Sequence, residues 1–283
     1  MITLEDALYW GKSFLKEKEI KDGDLDAWYL LSFCFGLNRT QYILHSNQVI
    51  TREQFEKYQE LIGTRAKHVP LQYITGEQEF MGLTFKVTED VLIPRQDTEI
   101  LVEEALKVAE GKDILDLCTG SGCIIISLSK LARIKSGTGV DISPKALAVA
   151  RQNARNLKAD VTFIESDMYS RVTGKYDIII SNPPYIPTRD ITGLMEEVKD
   201  YEPILALDGK EDGLHFYRVI INGLNRFLKE DGYVFLEIGY NQANAVCDLL
   251  REAGFMEVKI INDLAGLNRV VSGRFKKEEV PFT

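Results

Sequence analysis

Cysteine is scarce in this chain, and what there is does not pair. Cys34, Cys118, Cys123 and Cys247 form no C-x-x-C unit and no zinc spacing. Neither a disulfide framework nor a structural zinc site is expected, and a reducing compartment would keep the four as thiols. No apolar run approaches the roughly 18 residues a membrane-spanning helix requires. The opening Met1-Ile2-Thr3-Leu4-Glu5-Asp6 lacks the basic-then-apolar pattern of a secretory signal. A cytoplasmic protein with no membrane partner is therefore expected. Basic excess is missing as well: the formal net charge is −9. Binding carried by phosphate contacts normally needs a basic face, so direct contact with nucleic acid is not expected. Internal repeats and low-complexity stretches are also absent.

What is present is an ordinary globular composition, 45% hydrophobic in 283 residues, enough for a large domain with a small one. Residues 1–70 read as a helical bundle. Thr51-Arg52-Glu53-Gln54 is a capping box, in which hydroxyl and amide satisfy free N–H groups of a first turn. Phe55, Tyr58, Leu61 and Ile62 follow it at helical spacing. Asp24 can cap another helix whose apolar residues include Leu25, Trp28, Leu31 and Phe35. Such a short bundle stores little stability alone and holds no evident chemistry. Residues 71–95 read as a β-hairpin linker, with Met81-Gly82 at the turn and Pro94 ending the extended run. Residues 96–283 alternate short apolar strands with helices, including a helix over 212–228. That alternation means a doubly wound, mostly parallel sheet with right-handed crossovers.

The first strand of this region, Asp113 to Leu117, runs into Cys118-Thr119-Gly120-Ser121-Gly122. Glycine there lets the backbone turn tightly and approach a ligand closely. A dinucleotide fold would place a third glycine at position 125, where Ile125 stands. An apolar strand, an acid and G-x-G instead resemble the S-adenosylmethionine loop of class I methyltransferases. Asp141 ends the second strand 19 residues after Gly122 (141 − 122), where an acid accepts hydrogen bonds from ribose hydroxyls. Asp167 ends the third strand; the resemblance implies that it meets the adenine amino group while Met168 packs on the ring. Three acids or loops at the carboxyl ends of successive strands lie where open α/β sheets bind ligands.

Asn182-Pro183-Pro184-Tyr185 follows the fourth strand. Out of context it would be a turn. At the end of that strand its residue types suit methylation of a planar NH2. Such a nitrogen is a poor nucleophile because its lone pair is delocalised, and it carries two N–H donors. The Asn182 oxygen and the Pro183 carbonyl can accept one each, with the prolines stiffening the backbone. Two acceptors orient the nitrogen and favour pyramidalisation, and Tyr185 offers a flat face to stack on the group. No strong base is needed, because the methylated nitrogen becomes acidic. The tetrapeptide by itself does not choose between an adenine and a glutamine.

Further motifs are Pro70 to Gly76, Val91 to Arg95 with Thr98-Glu99, and Asn182 to Pro187 beside the glycine loop. Others are Tyr201-Glu202-Pro203, Ala206 to Gly209, Asp212-Gly213-Leu214, Glu237-Ile238-Gly239, and Asp263 to Gly266 with Arg269. In these, nearly end to end, the chain resembles the PrmC/HemK family of protein-(glutamine-N5) methyltransferases. The resemblance implies a Rossmann-like class I methyltransferase domain behind a substrate-docking helical bundle. It also implies that Cys118 to Gly122, Asp141, Asp167, Met168 and Asn182 hold S-adenosyl-L-methionine, which leaves as S-adenosyl-L-homocysteine. The implied substrate is the glutamine of the Gly-Gly-Gln loop in class-1 peptide release factors. A ribosomal-protein glutamine methyltransferase and an adenine-N6 methyltransferase are the alternatives. Cys118 stands where the family usually has glycine, which is expected to alter packing beneath the cofactor. Gln96-Asp97 replaces the common Pro-Glu, which bears on contacts around the linker.

Overall fold

A computed structural model describes residues 1–275. The chain divides into two units: Met1–Glu77 with Met195–Tyr201, and Gln78–Leu194 with Glu202 onward.

The first unit is helical: α1 (Leu4–Glu17), α2 (Gly23–Phe35), α3 (Arg39–His45), α4 (Arg52–Arg65) and α5 (Leu71–Thr75). Thr3 with Asp6, Asn38 with Gln41, and Thr51 with Gln54 form reciprocal capping boxes that start α1, α3 and α4. Asp24 is not a cap. The helix begins at Gly23 after Asp22, which places Asp24 in the first turn. Leu4, Leu15, Leu30, Leu31, Tyr58 and Ile62 fill the core. The Tyr58 hydroxyl donates to the Ala27 carbonyl at 2.9 Å. A Cβ at position 11 would lie 2.2 Å from that hydroxyl oxygen, so Gly11 lets α1 and α4 close together. Leu25 is 52% exposed. It shares an outward stripe with exposed Tyr29 and Phe33, at four-residue spacing along α2.

The second unit opens with a hairpin, β1 (Glu77–Phe80) and β2 (Leu83–Lys86). Its turn residues Met81 (φ 52°) and Gly82 (φ 70°) both have positive φ, the signature of a tight primed turn. There follow α6 (Gln96–Leu106), β3 (Asp113–Leu117), α7 (Cys123–Leu131), β4 (Ser136–Asp141), α8 (Pro144–Leu157), β5 (Thr162–Glu165) and β6 (Tyr176–Ser181). A 3₁₀ turn (Thr188–Gly193) leads into the short helix α9 (Glu196–Lys199), which belongs to the first unit. There Glu197 accepts from Arg65 at 2.8 Å, and Arg65 also pairs with buried Asp26 at 2.7 Å. The chain returns through α10 (Ile204–Leu207), α11 (His215–Phe227), β7 (Leu228–Glu237), α12 (Ala243–Glu252), β8 (Met256–Asn262) and β9 (Asn268–Arg274). The helix expected over 212–228 starts only at His215, because the Asp212 carboxylate caps the turn before it, accepting from the Leu214 N–H at 3.0 Å.

These strands form one seven-stranded sheet in the order β5-β4-β3-β6-β7-β9-β8, parallel except where β9 joins β7 and β8. Neighbouring residues of β6 serve opposite faces, as strand geometry demands. Ile179 packs with Tyr217, Leu224, Val246 and Leu250 of α11 and α12. Ile178 and Ile180 pack with Leu101, Val102, Ile124 and Ile125 of α6 and α7. Helices on both faces make the sheet doubly wound. After β5 the chain crosses back to the far side of β3, so the strand order reverses between β3 and β6. Crevices outside the strand carboxyl ends at such a reversal are where this architecture binds ligands.

Candidate active site

A cavity of about 340 Å³ opens at that reversal. Register fixes what surrounds it: Leu117 pairs with Val140 on one side and Ser181 on the other, and Asp141 pairs with Glu165. The residues just beyond those strand ends therefore converge. Cys118, Gly120, Asp141, Asp167, Met168, Asn182 and Pro184 all line the cavity. Thr119, Ser121 and Gly122 do not line it; they form the buried underside of the loop. The Thr119 hydroxyl donates to Asp116 at 2.5 Å. A Cβ at Gly122 would come within 2.9 Å of Ile126 and 3.2 Å of Ala150. Cys118 takes φ 60°, a conformation that glycine adopts freely. Its sulfur rests 3.8 Å from the sulfur of Met168 and forms part of the wall.

Asp141 holds the loop as well as facing the cavity. One of its oxygens accepts from the Gly120 N–H and the other from the Ser143 N–H, both at 2.9 Å. Burial pushes its pKa up, against these hydrogen bonds. Asp116 is wholly buried with one oxygen unpaired, and desolvation pushes its pKa up to about 8. The side chain of Asn153 on α8 is a support with no sequence signal of its own. It donates to the Ser121 carbonyl at 2.9 Å and to the Lys86 carbonyl at 3.0 Å, tying glycine loop to hairpin.

The Asn182 side-chain nitrogen donates to the Thr98 hydroxyl at 3.2 Å. With that nitrogen engaged inward, the amide oxygen is the atom left for the cavity. Pro183 and Pro184 are buried. Tyr185 does not line this cavity, and its hydroxyl donates to Glu237 at 3.4 Å. Its phenol pKa is raised, chiefly by burial and then by the Glu237 charge. The backbone of the tetrapeptide is gripped from behind. The Gln242 amide donates to the Tyr185 carbonyl at 2.9 Å, and the Tyr217 hydroxyl braces that amide's oxygen at 3.3 Å. A Cβ at Gly209 would lie 2.7 Å from Tyr185 backbone, and one at Gly213 2.4 Å from its carbonyl oxygen. The Asp208-Gly209 and Gly213 motif positions thus permit the close approach of two loops. Leu205, Ala206, Lys210, His215 and Phe216 complete the cavity wall. Leu205 and Ala206 sit on α10, Lys210 on the loop after it, and His215 and Phe216 at the start of α11, a path that no periodicity encodes.

Among the described residues no cluster of His, Cys, Asp or Glu is placed to hold a metal. None of their helices is long and apolar enough to cross a membrane.

Comparison with known proteins agrees with this geometry. Residues 6–76 match the PrmC N-terminal domain and residues 95–198 the methyltransferase small domain. A release factor glutamine methyltransferase of Geobacter sulfurreducens is 41% identical over 274 residues, 96% of each chain. One from Moorella thermoacetica is 40% identical, covering 98% of this chain and 100% of its own. Among solved structures a methyltransferase from Pyrococcus furiosus shares the class I fold, with a TM-score of 0.53 and 17% identity over 69% of this chain and 90% of its own. The protein is a methyltransferase, and its chain belongs to the release factor glutamine methyltransferase family.

Proposed function

We propose that the protein transfers the methyl group of S-adenosylmethionine to the side-chain amide nitrogen of the glutamine in the Gly-Gly-Gln loop of class-1 peptide release factors. The cavity suits the cofactor. Its floor is the glycine loop, its acid Asp141 retains lone pairs after accepting two backbone N–H groups, and Met168 and Ile142 give it apolar walls. Bound there, the cofactor supplies an electrophilic methyl on a sulfonium. Asp141 would hold the ribose and Asp167, exposed at the rim, the adenine amino group. The observation that carries the reading is the Asn182 amide. Its nitrogen donates to Thr98, which leaves its oxygen to accept from a substrate NH2 beside the cofactor cavity. Holding that NH2 by an acceptor is the main thing this reaction asks of the protein. The helical unit has no comparable cluster, and the exposed stripe Leu25, Tyr29 and Phe33 suits docking of the protein substrate.

Transfer of labelled methyl from S-adenosylmethionine to purified release factor, ribosomal protein or DNA separates the candidate substrates. Label is expected on release factor only, and label confined to either other substrate would refute the reading.

A further inference from the structure

Behind Asn182 lies a buried polar chain that ends in a carboxyl group. Thr98 on α6 and Glu237 at the end of β7 are 2% exposed each. The Tyr185 hydroxyl reaches one Glu237 oxygen at 3.4 Å, while the other, Oε2, is buried without a partner in hydrogen-bonding geometry. An unpaired buried acceptor is costly and asks for a reason. Thr98, close enough to Glu237 for its hydroxyl to favour the charged carboxylate, has one hydroxyl hydrogen and two lone pairs. Where that hydrogen points decides what Thr98 can offer Asn182.

We propose that Glu237 and Thr98 are positioning residues that set which way the Asn182 amide faces. The ionised Glu237 carboxylate takes the Thr98 hydrogen. Thr98 then presents a lone pair to the Asn182 nitrogen, at the observed 3.2 Å, and the Asn182 oxygen turns to the cavity. A proton on Glu237 reverses the chain. Its O–H points at Thr98, the Thr98 hydrogen goes to the Asn182 oxygen, and the amide rotates to present NH2 to a substrate that also presents NH2. Two donors then face each other and the substrate nitrogen is no longer held. This inference rests on the reaction proposed above.

The surroundings set the switching range. Burial raises the Glu237 pKa to about 7, while Thr98, Arg269 and the Tyr185 hydroxyl favour the charged form and Asp97 opposes it. Tyr217 on α11 and Cys123 on α7 also face the charge. Arg269 is shared, pairing with Asp97 at 3.1 Å and Asp263 at 3.0 Å. Ionisation on going up in pH builds the productive orientation, so turnover is expected to rise with pH through neutrality.

The test is kcat on intact release factor across about pH 5 to 9, with cofactor affinity by calorimetry. The parent protein should show a rise centred near pH 7. Glu237→Gln has no proton to gain, so the step should vanish and kcat at high pH should fall about tenfold, with cofactor affinity unchanged. Thr98→Val should lower kcat about tenfold or more and Thr98→Ser should restore it, a pair that decides the matter even where the Glu237 variant folds poorly. A step that persists in Glu237→Gln, or parental kcat in Thr98→Val, overturns the inference alone. A parent inactive on release factor at every pH overturns the substrate reading and this inference with it.

Discussion

At the scale of single residues, the proposed reaction gives Asp141 and Asn182 separate duties, and they can be told apart. Asn182→Ala should cost at least about 100-fold in kcat, since about 1 Å of misplacement can cost that much. Cofactor affinity should stay within a few-fold. Asn182→Asp keeps an acceptor oxygen but cannot donate to Thr98, so it should retain more activity than Ala only if the acceptor is all that matters. Equal loss in both would mean that the nitrogen bonded to Thr98 matters too. Asp141→Ala has the opposite profile. Losing a charged acceptor is worth roughly 1.5–3 kcal/mol, so calorimetry should show cofactor binding weakened about 10- to 150-fold. Unchanged affinity in a folded variant would remove Asp141 from the cofactor site. The positions of these residues were legible because each ends a strand whose apolar run is visible in the sequence. The partners behind them were not. Thr98 lies 84 residues before Asn182 in the chain, Gln242 lies 57 residues after Tyr185, and no local pattern announces a contact made by folding. The carboxyl that takes the Tyr185 hydroxyl was illegible for the same reason, since Glu237 lies 52 residues further along the chain.

At the scale of elements, periodicity and capping carried far. The Thr51 box and the Met81-Gly82 hairpin turn both appear where local chemistry put them. The pattern failed where a loop side chain competes with the helix backbone, as Asp212 does at the start of α11. The loops after β6 test the packing argument. At Gly213, with φ +74°, alanine incurs about 1–2 kcal/mol of left-handed strain and drives a methyl into the Tyr185 carbonyl. Gly213→Ala should lower both thermal stability and kcat; unchanged kcat would mean the tetrapeptide does not depend on that contact. Asp116 tests the loop from beneath. Its folded pKa of about 8 stands above the usual 3.8, so the native state holds a proton that the unfolded chain releases. Stability should fall as pH rises between those two values. Asp116→Asn should flatten that slope in denaturant titrations, whereas an unaltered slope would place its origin elsewhere.

At the scale of the whole molecule, one unit holds the cavity and the tetrapeptide, and the other carries the exposed stripe proposed above to dock the protein substrate. Replacing Leu25, Tyr29 and Phe33 together with serine should raise KM for intact release factor by about tenfold or more. Turnover of a short Gly-Gly-Gln peptide and cofactor affinity should be unaffected. Unchanged KM on the intact protein would leave the stripe without a part in docking. The division into a helical unit and a wound sheet was visible in composition and periodicity. That residues 195–201 return to the helical unit was not, because the link is a half-buried ion pair between Arg65 and Glu197 rather than a sequence pattern. The central claim is that the methyl goes to one amide nitrogen, and fragment-ion mass spectrometry of the release factor after incubation with protein and cofactor reads this directly. A single added methyl on the side chain of the Gly-Gly-Gln glutamine, absent when Asn182→Ala replaces the parent protein, is the predicted result. A methyl on any other residue, or none, would contradict it.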